Sequence, residues 1–291
     1  PAMYSIMNYA DMVLGTWYPD GGMVKIVDAM VSLAKELGVK FEFNSEVTKI
    51  EAEDKSIQRL ITAHGRIIEA DVVVGGADYH HLEQEVLDKS YRQYDEAYWA
   101  NRVMAPSSLV FYLGVRGKMK NVLHHNLFFD ADFKLHSAEI YTDKKWPTEP
   151  LFYMSVPSVT DDSIAPEGHE NLFILMPIAT DLEDTQEIRE HYFERILERI
   201  KAVTGEDLKD RIIYQRSYCI NDFKTDYHSY RGNAYGLANT LGQTAFLKPK
   251  MKSRKLENLY FTGQLTVPGP GIPPALISGQ IVAREVMKKY A

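Results

Sequence analysis

The residues best suited to chemistry gather near the C-terminus. Asn258-Leu-Tyr-Phe-Thr-Gly263-Gln264 runs into Pro268-Gly269-Pro-Gly271-Ile272-Pro273-Pro274, and a helical pattern then continues unbroken to Tyr290. This order reads as strand, glycine turn and helix. Glycines let a turn backbone approach a ligand closely, and the N–H groups and positive dipole end of the next helix suit an anionic or electron-rich group. Pro273 and Pro274 fit the first helical positions, where an N–H is not needed. The simplest ligand is a phosphate-bearing cofactor or the electron-accepting edge of a flavin. The usual dinucleotide fingerprint is absent, because Gly269-Pro-Gly271 continues as Ile-Pro-Pro and no strand with a ribose-binding acid follows. Read alone, such a turn is more often a plain connector.

Other candidates are weaker. His80-His81 and His124-His125 invite a metal reading, but adjacent histidines point in different directions and no cysteine or regular acidic spacing joins them, so no metal is expected. Cys219 is the only cysteine; it excludes an intrachain disulfide and leaves a thioether to a cofactor open. Lys248-Pro-Lys-Met-Lys-Ser-Arg-Lys255 reads first as a solvated loop and second as a peripheral contact with anionic lipid.

The 291 residues suffice for one large or two modest domains. A formal charge of -7 disfavours non-specific nucleic-acid binding. The longest apolar runs fall far below the roughly twenty residues that span a bilayer. No basic region leads into an apolar core near Pro1, so no signal peptide is expected, and a start without methionine reads as a cut chain. A cytoplasmic location fits these features.

Several elements must position the turn. Tyr18-Pro-Asp-Gly-Gly22 composes a turn, and Ile26, Met30, Leu33 and Leu37 recur at helical spacing before Gly38. A strand is expected over 39–50, a hairpin from 56–62 and 66–70 around His64-Gly65, and an apolar strand over 71–74. From about His80 the pattern changes to aromatic strands at 107–115, 126–130, 151–157 and 171–177. One helix interrupts them, N-capped by Asp184, striped by Ile188, Tyr192, Ile196 and Ile200, and ended at Gly205. The strand at 259–262 returns to the style of the first unit. The expected class is α/β plus α+β, with residues 1–79 and 256–291 sharing one domain and 80–255 inserted as a mixed-sheet second domain.

Tyr18-Pro-Asp-Gly-Gly-Met23, Glu36-Leu-Gly-Val39, Asn44-Ser-Glu-Val-Thr-Lys-Ile50, Ala70-Asp-Val-Val-Val-Gly-Gly-Ala-Asp78, Gly232-Asn-Ala-Tyr-Gly236 and the closing glycine turn follow one another in a specific order. In that order the chain resembles the C-terminal part of phytoene-desaturase-like flavoproteins, within the amine-oxidase-like FAD superfamily. The resemblance implies an incomplete FAD-binding, glutathione-reductase-like domain interrupted by a substrate domain. It lacks the G-x-G-x-x-G unit that holds the FAD pyrophosphate, so a fragment that binds non-covalent FAD poorly or not at all is expected.

By the same resemblance, the Val47 backbone meets the adenine edge, with a buried strand valine as the equal alternative. Gly263 and Gln264 fall near the ribityl and pyrophosphate, Gln264 standing where an acid is commoner. Gly269, Gly271, Ile272 and Pro273 form the turn beneath the isoalloxazine ring. The implied activity is hydride transfer from a carotenoid, retinoid or other isoprenoid polyene, in desaturation, saturation or isomerisation. An amine or porphyrinogen oxidase, or a substrate-binding fragment without redox activity, are the alternatives. No catalytic residue is named: Asn233 and Tyr235 either reach the cavity or merely pack a turn. The 18 tyrosines and 12 phenylalanines line an apolar tunnel on one reading and an ordinary core on the other.

Overall fold

The computed structural model describes residues 9–290, so Pro1 lies outside the described residues. The first long helix, α1 (Val24–Glu36), starts after a turn closed by Gly22 N–H donating to Pro19 O at 3.0 Å. Gly38 follows it with φ +84°, the left-handed conformation that a helix end favours in glycine. The apolar stripe of α1 is not covered. Met30, Leu33 and Leu37 are exposed, and no residue of the helix is buried.

The strand expected over 39–50 begins only at Val47. Phe41 and Phe43 are exposed, Asn44 sits at φ +53°, and residues 39–46 pair with no strand among the described residues. Backbone groups without a strand partner cannot form a ladder, whatever the side-chain alternation. From Val47 the chain forms β1 (Val47–Glu53), β2 (Ser56–Thr62) and β3 (Ile67–Glu69), an antiparallel sheet in that order. Asp54 and Lys55 turn the first hairpin, both at positive φ, as a two-residue primed turn requires. The second hairpin turns at His64-Gly65 as expected, with Gly65 at φ +78°.

β4 (Val73–Gly75) pairs in parallel with a strand from the far end of the sequence, β10 (Leu259–Phe261). Between them lie two short helices, α2 (Tyr79–His81) and α3 (Glu96–Ala100), then β5 (Ser107–Arg116), β6 (His125–Phe128), α4 (Phe133–Ala138), β7 (Phe152–Ser155), β8 (His169–Ile178), α5 (Gln186–Thr204), β9 (Ile212–Tyr218) and α6 (Ile220–Tyr227). The five long-range strands form one antiparallel sheet in the order β6-β7-β8-β5-β9. β8, inside the sheet, alternates buried and half-buried positions along its length, the period-two signature of two unlike faces.

α5 covers one face. Tyr192, Phe193, Ile196 and Ile200 pack with Leu109, Phe111, Leu113, Leu172, Ile174 and Met176. Thr185, not Asp184, caps this helix: its Oγ1 accepts from Ile188 N–H at 3.3 Å. Asp184 is engaged otherwise, by the Arg189 guanidinium and by Asn221 N–H at 2.8 Å, because α6 folds back beside it. A second apolar cluster, with Ile50, Ile57, Tyr79, Trp99, Leu259 and Phe261, lies around β4 and β10. The final helix, α7 (Ile272–Tyr290), follows the glycine turn.

Candidate functional site at the strand–turn–helix

β10 is buried at all three positions, and its exit is fixed by the helix it precedes. Ser278, in the second turn of α7, exchanges a hydrogen bond with Thr262 Oγ1 at 2.6 Å and accepts from Gly263 N–H at 3.0 Å. Thr266 donates back to Gly263 O from its hydroxyl at 2.8 Å. Gly263, Gly269 and Gly271 take φ +99°, +138° and +112°, which side chains disfavour. Pro273 and Pro274 bring no N–H, so Gly271 and Ile272 carry the donors at this helix start, and Ala275 N–H already bonds Gly271 O at 2.9 Å.

Six of the seven residues expected at a cofactor thus lie on one continuous segment: Gly263, Gln264, Gly269, Gly271, Ile272 and Pro273. Gly269 is buried and Gln264 half-buried, whereas Ile272 and Pro273 are exposed. Val47 lies apart from them on β1, half-buried and paired with Thr62.

The Gly232–Gly236 segment packs directly against this turn. Asn233 is buried; its Oδ1 accepts from Gly236 N–H at 2.6 Å and from Gln264 Nε2 at 3.3 Å, while its Nδ2 donates to Tyr230 O at 2.7 Å. Its polar atoms are therefore committed to shaping the turn. A Cβ on Gly236 would lie 2.9 Å from Gln264 O, so that position must be glycine for the two segments to meet. Tyr235 remains partly exposed, with burial raising its phenol pKa.

Lys248 departs from the reading of its segment as solvated. It is 2% exposed, its Nζ has no hydrogen-bond partner, and burial lowers its pKa. A Cβ on Gly269 would lie 3.7 Å from that Nζ, so the ammonium sits against the glycine turn. It cannot touch a lipid surface. The exposed cations of the run are Lys250, Lys252, Arg254 and Lys255. Charge patterning marked this lysine as one of five and did not distinguish it.

The opposite face of the five-stranded sheet carries aromatic groups that α5 does not cover. Tyr112 and Phe173 face each other across β5 and β8 with ring centroids 5.5 Å apart, and Phe173 meets Tyr153 of β7 at 6.4 Å. Tyr112 and Leu127 on this face are exposed. The strand alternation in the sequence held this signal, but only the register aligns the rings.

The remaining candidates resolve as structure. Cys219 is fully buried as the N-cap of α6, and burial pushes its thiol up to about 12. His124 Nδ1 bonds Thr160 Oγ1 at 2.7 Å and His125 Nδ1 bonds the Tyr153 hydroxyl at 2.6 Å. His81, His228 and Glu46 come together, with ligand atoms within 4.8 Å of one another. The two imidazoles stack at 3.9 Å with planes 6° apart, so their in-plane lone pairs run parallel and do not converge on one ion. A groove of about 1080 Å³ beside β1 and β2 is lined by Glu51, Glu53, Glu69, Asp71 and Asp88 and by Lys49 and Arg59, both paired with Glu51, so its wall is acidic on balance. Among the described residues no helix is long and apolar enough to cross a membrane.

A parallel strand pair, a glycine turn and a following helix, beside a five-stranded antiparallel sheet, define the fold. It is shared with the crystal structure of an oxidoreductase from Methanosarcina mazei, at TM-score 0.63 and 17% identity over 97% of this chain and 58% of that one. A putrescine oxidase variant gives TM-score 0.58 at 10% identity, over 92% of this chain and 53% of that one. The chain belongs to the flavin containing amine oxidoreductase family, whose model matches residues 1–287. FAD is the cofactor that goes with this family.

Over all 291 residues the chain is 44% identical to a carotenoid 3,4-desaturase of Haloarcula japonica. It is 30% identical, over 99% of its length, to a 4,4'-diapophytoene desaturase of Staphylococcus aureus strain Newman. The chain spans 59% of the length of each of these curated relatives. The turn fits a flavin: three positive-φ glycines open its backbone, and the helix dipole and a buried ammonium both present positive charge.

Proposed function

We propose that this chain is the flavin-ring and substrate-facing part of a FAD-dependent oxidoreductase that desaturates a carotenoid or related isoprenoid polyene. The observation that carries the reading is the Ser278-braced turn at Gly263–Gly271, in a chain whose relatives are named desaturases. In this reading residues 1–79 and 256–291 form one discontinuous, partial FAD-binding domain around β4 and β10, and 80–255 form the substrate domain. The uncovered apolar stripe of α1 supports a cofactor domain larger than these two segments.

When bound, FAD supplies a two-electron acceptor for hydride. The chain's own residues prepare its place. Gly269, Gly271, Ile272 and Pro273 would bring the α7 dipole to the ring, Gly263 and Gln264 would hold the ribityl side, and the Val47 backbone would meet the adenine edge. Asn233 fixes Gln264 and Gly236, which shapes the wall of the cavity. The Tyr112, Tyr153 and Phe173 face offers an uncovered aromatic surface on which a conjugated chain would pack. We place a peripheral membrane contact at Lys250, Lys252, Arg254 and Lys255, where a lipid-dissolved substrate would be collected.

The test is a titration of FAD into the chain and into the protein expressed from its whole reading frame, followed by absorbance and thermal stability. Yellow colour with a rise in melting temperature in the latter is expected. If neither preparation binds flavin, the oxidoreductase reading is wrong and a flavin-free binding role takes its place.

A further inference from the structure

The glycine turn has a charge beside it that nothing among the described residues meets. Lys248 is 2% exposed and its Nζ makes no hydrogen bond, although the rest of its run is occupied or solvated. Lys250 Nζ donates to Phe246 O at 3.1 Å, and Lys252 Nζ lies 5.9 Å from the centre of the Tyr260 ring. Removing an ammonium from water without a partner is costly, and an anionic or electron-rich partner that arrives from outside would offset that cost. The side chain is aimed at Gly269, whose Cβ position is 3.6 Å from Lys248 Cε and 3.7 Å from Nζ. That is the turn from which α7 starts.

We propose that Lys248 is the positioning cation for the electron-rich pyrimidine edge of the bound flavin, where it stabilises the negative charge that arrives with reduction. The inference rests on the flavin reading above. A polyene substrate offers no acceptor for an ammonium, so the cofactor is the ligand whose chemistry fits. A hydride accepted by a bound flavin would add two electrons and one proton to the ring and so one negative charge, while the neighbouring substrate carbon would release the second hydrogen as a proton. A cation at the ring's pyrimidine edge therefore favours the reduced form over the oxidised one. The helix dipole acts in the same sense and place. A contact with the FAD diphosphate behaves differently, because that charge is the same in both oxidation states.

Lys248→Met keeps the length and apolar stem while removing the charge, and Lys248→Arg retains charge. Each is made in the protein expressed from its whole reading frame, and three quantities are read: affinity for oxidised FAD, the two-electron midpoint potential, and the melting temperature without flavin. For Lys248→Met the binding of reduced flavin is expected to weaken about tenfold relative to oxidised flavin, a fall of about 30 mV in potential. Lys248→Arg keeps most of the wild-type potential, and the flavin-free melting temperature of Lys248→Met is unchanged or higher.

A wild-type protein that takes up no FAD overturns the flavin reading itself, and this inference with it. With a flavin-binding wild type, equal weakening of both oxidation states at unchanged potential moves the lysine to the diphosphate and overturns the pyrimidine assignment. Unchanged affinity and potential, or a lowered flavin-free melting temperature that Lys248→Arg does not restore, make Lys248 a packing residue and likewise overturn it.

Discussion

The Asn258 side chain reads both backbone groups of Ile57, 201 residues earlier in the chain. Its Oδ1 accepts from Ile57 N–H at 2.8 Å and its Nδ2 donates to Ile57 O at 3.0 Å, with a further bond to Asp71 O at 3.1 Å. One buried carboxamide thus imitates a strand partner, and joins the β1–β2–β3 sheet to the parallel pair that leads into the glycine turn.

Replacing Asn258 with leucine removes the partners of two buried backbone groups, Ile57 N–H and C=O, and of the half-buried Asp71 carbonyl. Each such group costs roughly 1–3 kcal/mol, so a loss of about 3 kcal/mol is expected in denaturant unfolding. A loss below about 1 kcal/mol would show that water reaches Ile57 and that the amide is not the link between the sheets.

Gly236→Ala places a Cβ 2.9 Å from Gln264 O at a backbone φ of +70°. The left-handed conformation alone costs about 1–2 kcal/mol for a non-glycine residue, and the turn must shift as well. Lower stability together with weaker flavin uptake is expected. Lower stability with flavin affinity intact would separate the Gly232–Gly236 segment from the cofactor.

Glu83 gives the pH dependence a definite sign. Burial raises its pKa from 4.5 to about 7, and its Oε2 has no partner even though Oε1 accepts from Gln93 N–H at 3.1 Å. Between those two pH values the folded chain binds the proton that the unfolded chain has lost. Stability is therefore fully present below pH 4.5 and is lost as pH rises through 7, by about 3 kcal/mol from this group. Glu83→Gln should remove that slope. Melting curves for the variant that keep the wild-type slope over this window would assign it to another group.

Cys219 should be silent. A fully buried thiol with its pKa pushed up to about 12 resists alkylation, since the thiolate is the nucleophile. Maleimide labelling is expected only after unfolding, and intact mass should show no covalent flavin. Rapid labelling of the native chain would mean that the start of α6 opens.

The exposed cations make the last prediction. Each Lys or Arg near an anionic surface contributes about 1 kcal/mol, so serine at Lys250, Lys252, Arg254 and Lys255 together should abolish sedimentation with phosphatidylserine vesicles at low salt. Salt-independent binding, or binding retained by the quadruple variant, would remove the membrane contact from this segment.

What the amino-acid order determined by itself was local. Strands β5, β7 and β8, the stripe and Gly205 end of α5, the His64-Gly65 turn and the glycine turn before α7 were all legible, because periodicity and backbone freedom are properties of neighbouring residues. So was the order of motifs that placed the chain among flavoproteins. What only the tertiary structure decided was burial and partnership across long distances. It left residues 39–46 without a strand partner, moved the α5 cap to Thr185 by engaging Asp184 with α6, tied Asn258 to Ile57, and turned Lys248 inward from a run of otherwise exposed cations. A lysine's type carries its charge, but the cost of that charge depends on which distant segments exclude water from it, and no local pattern encodes that.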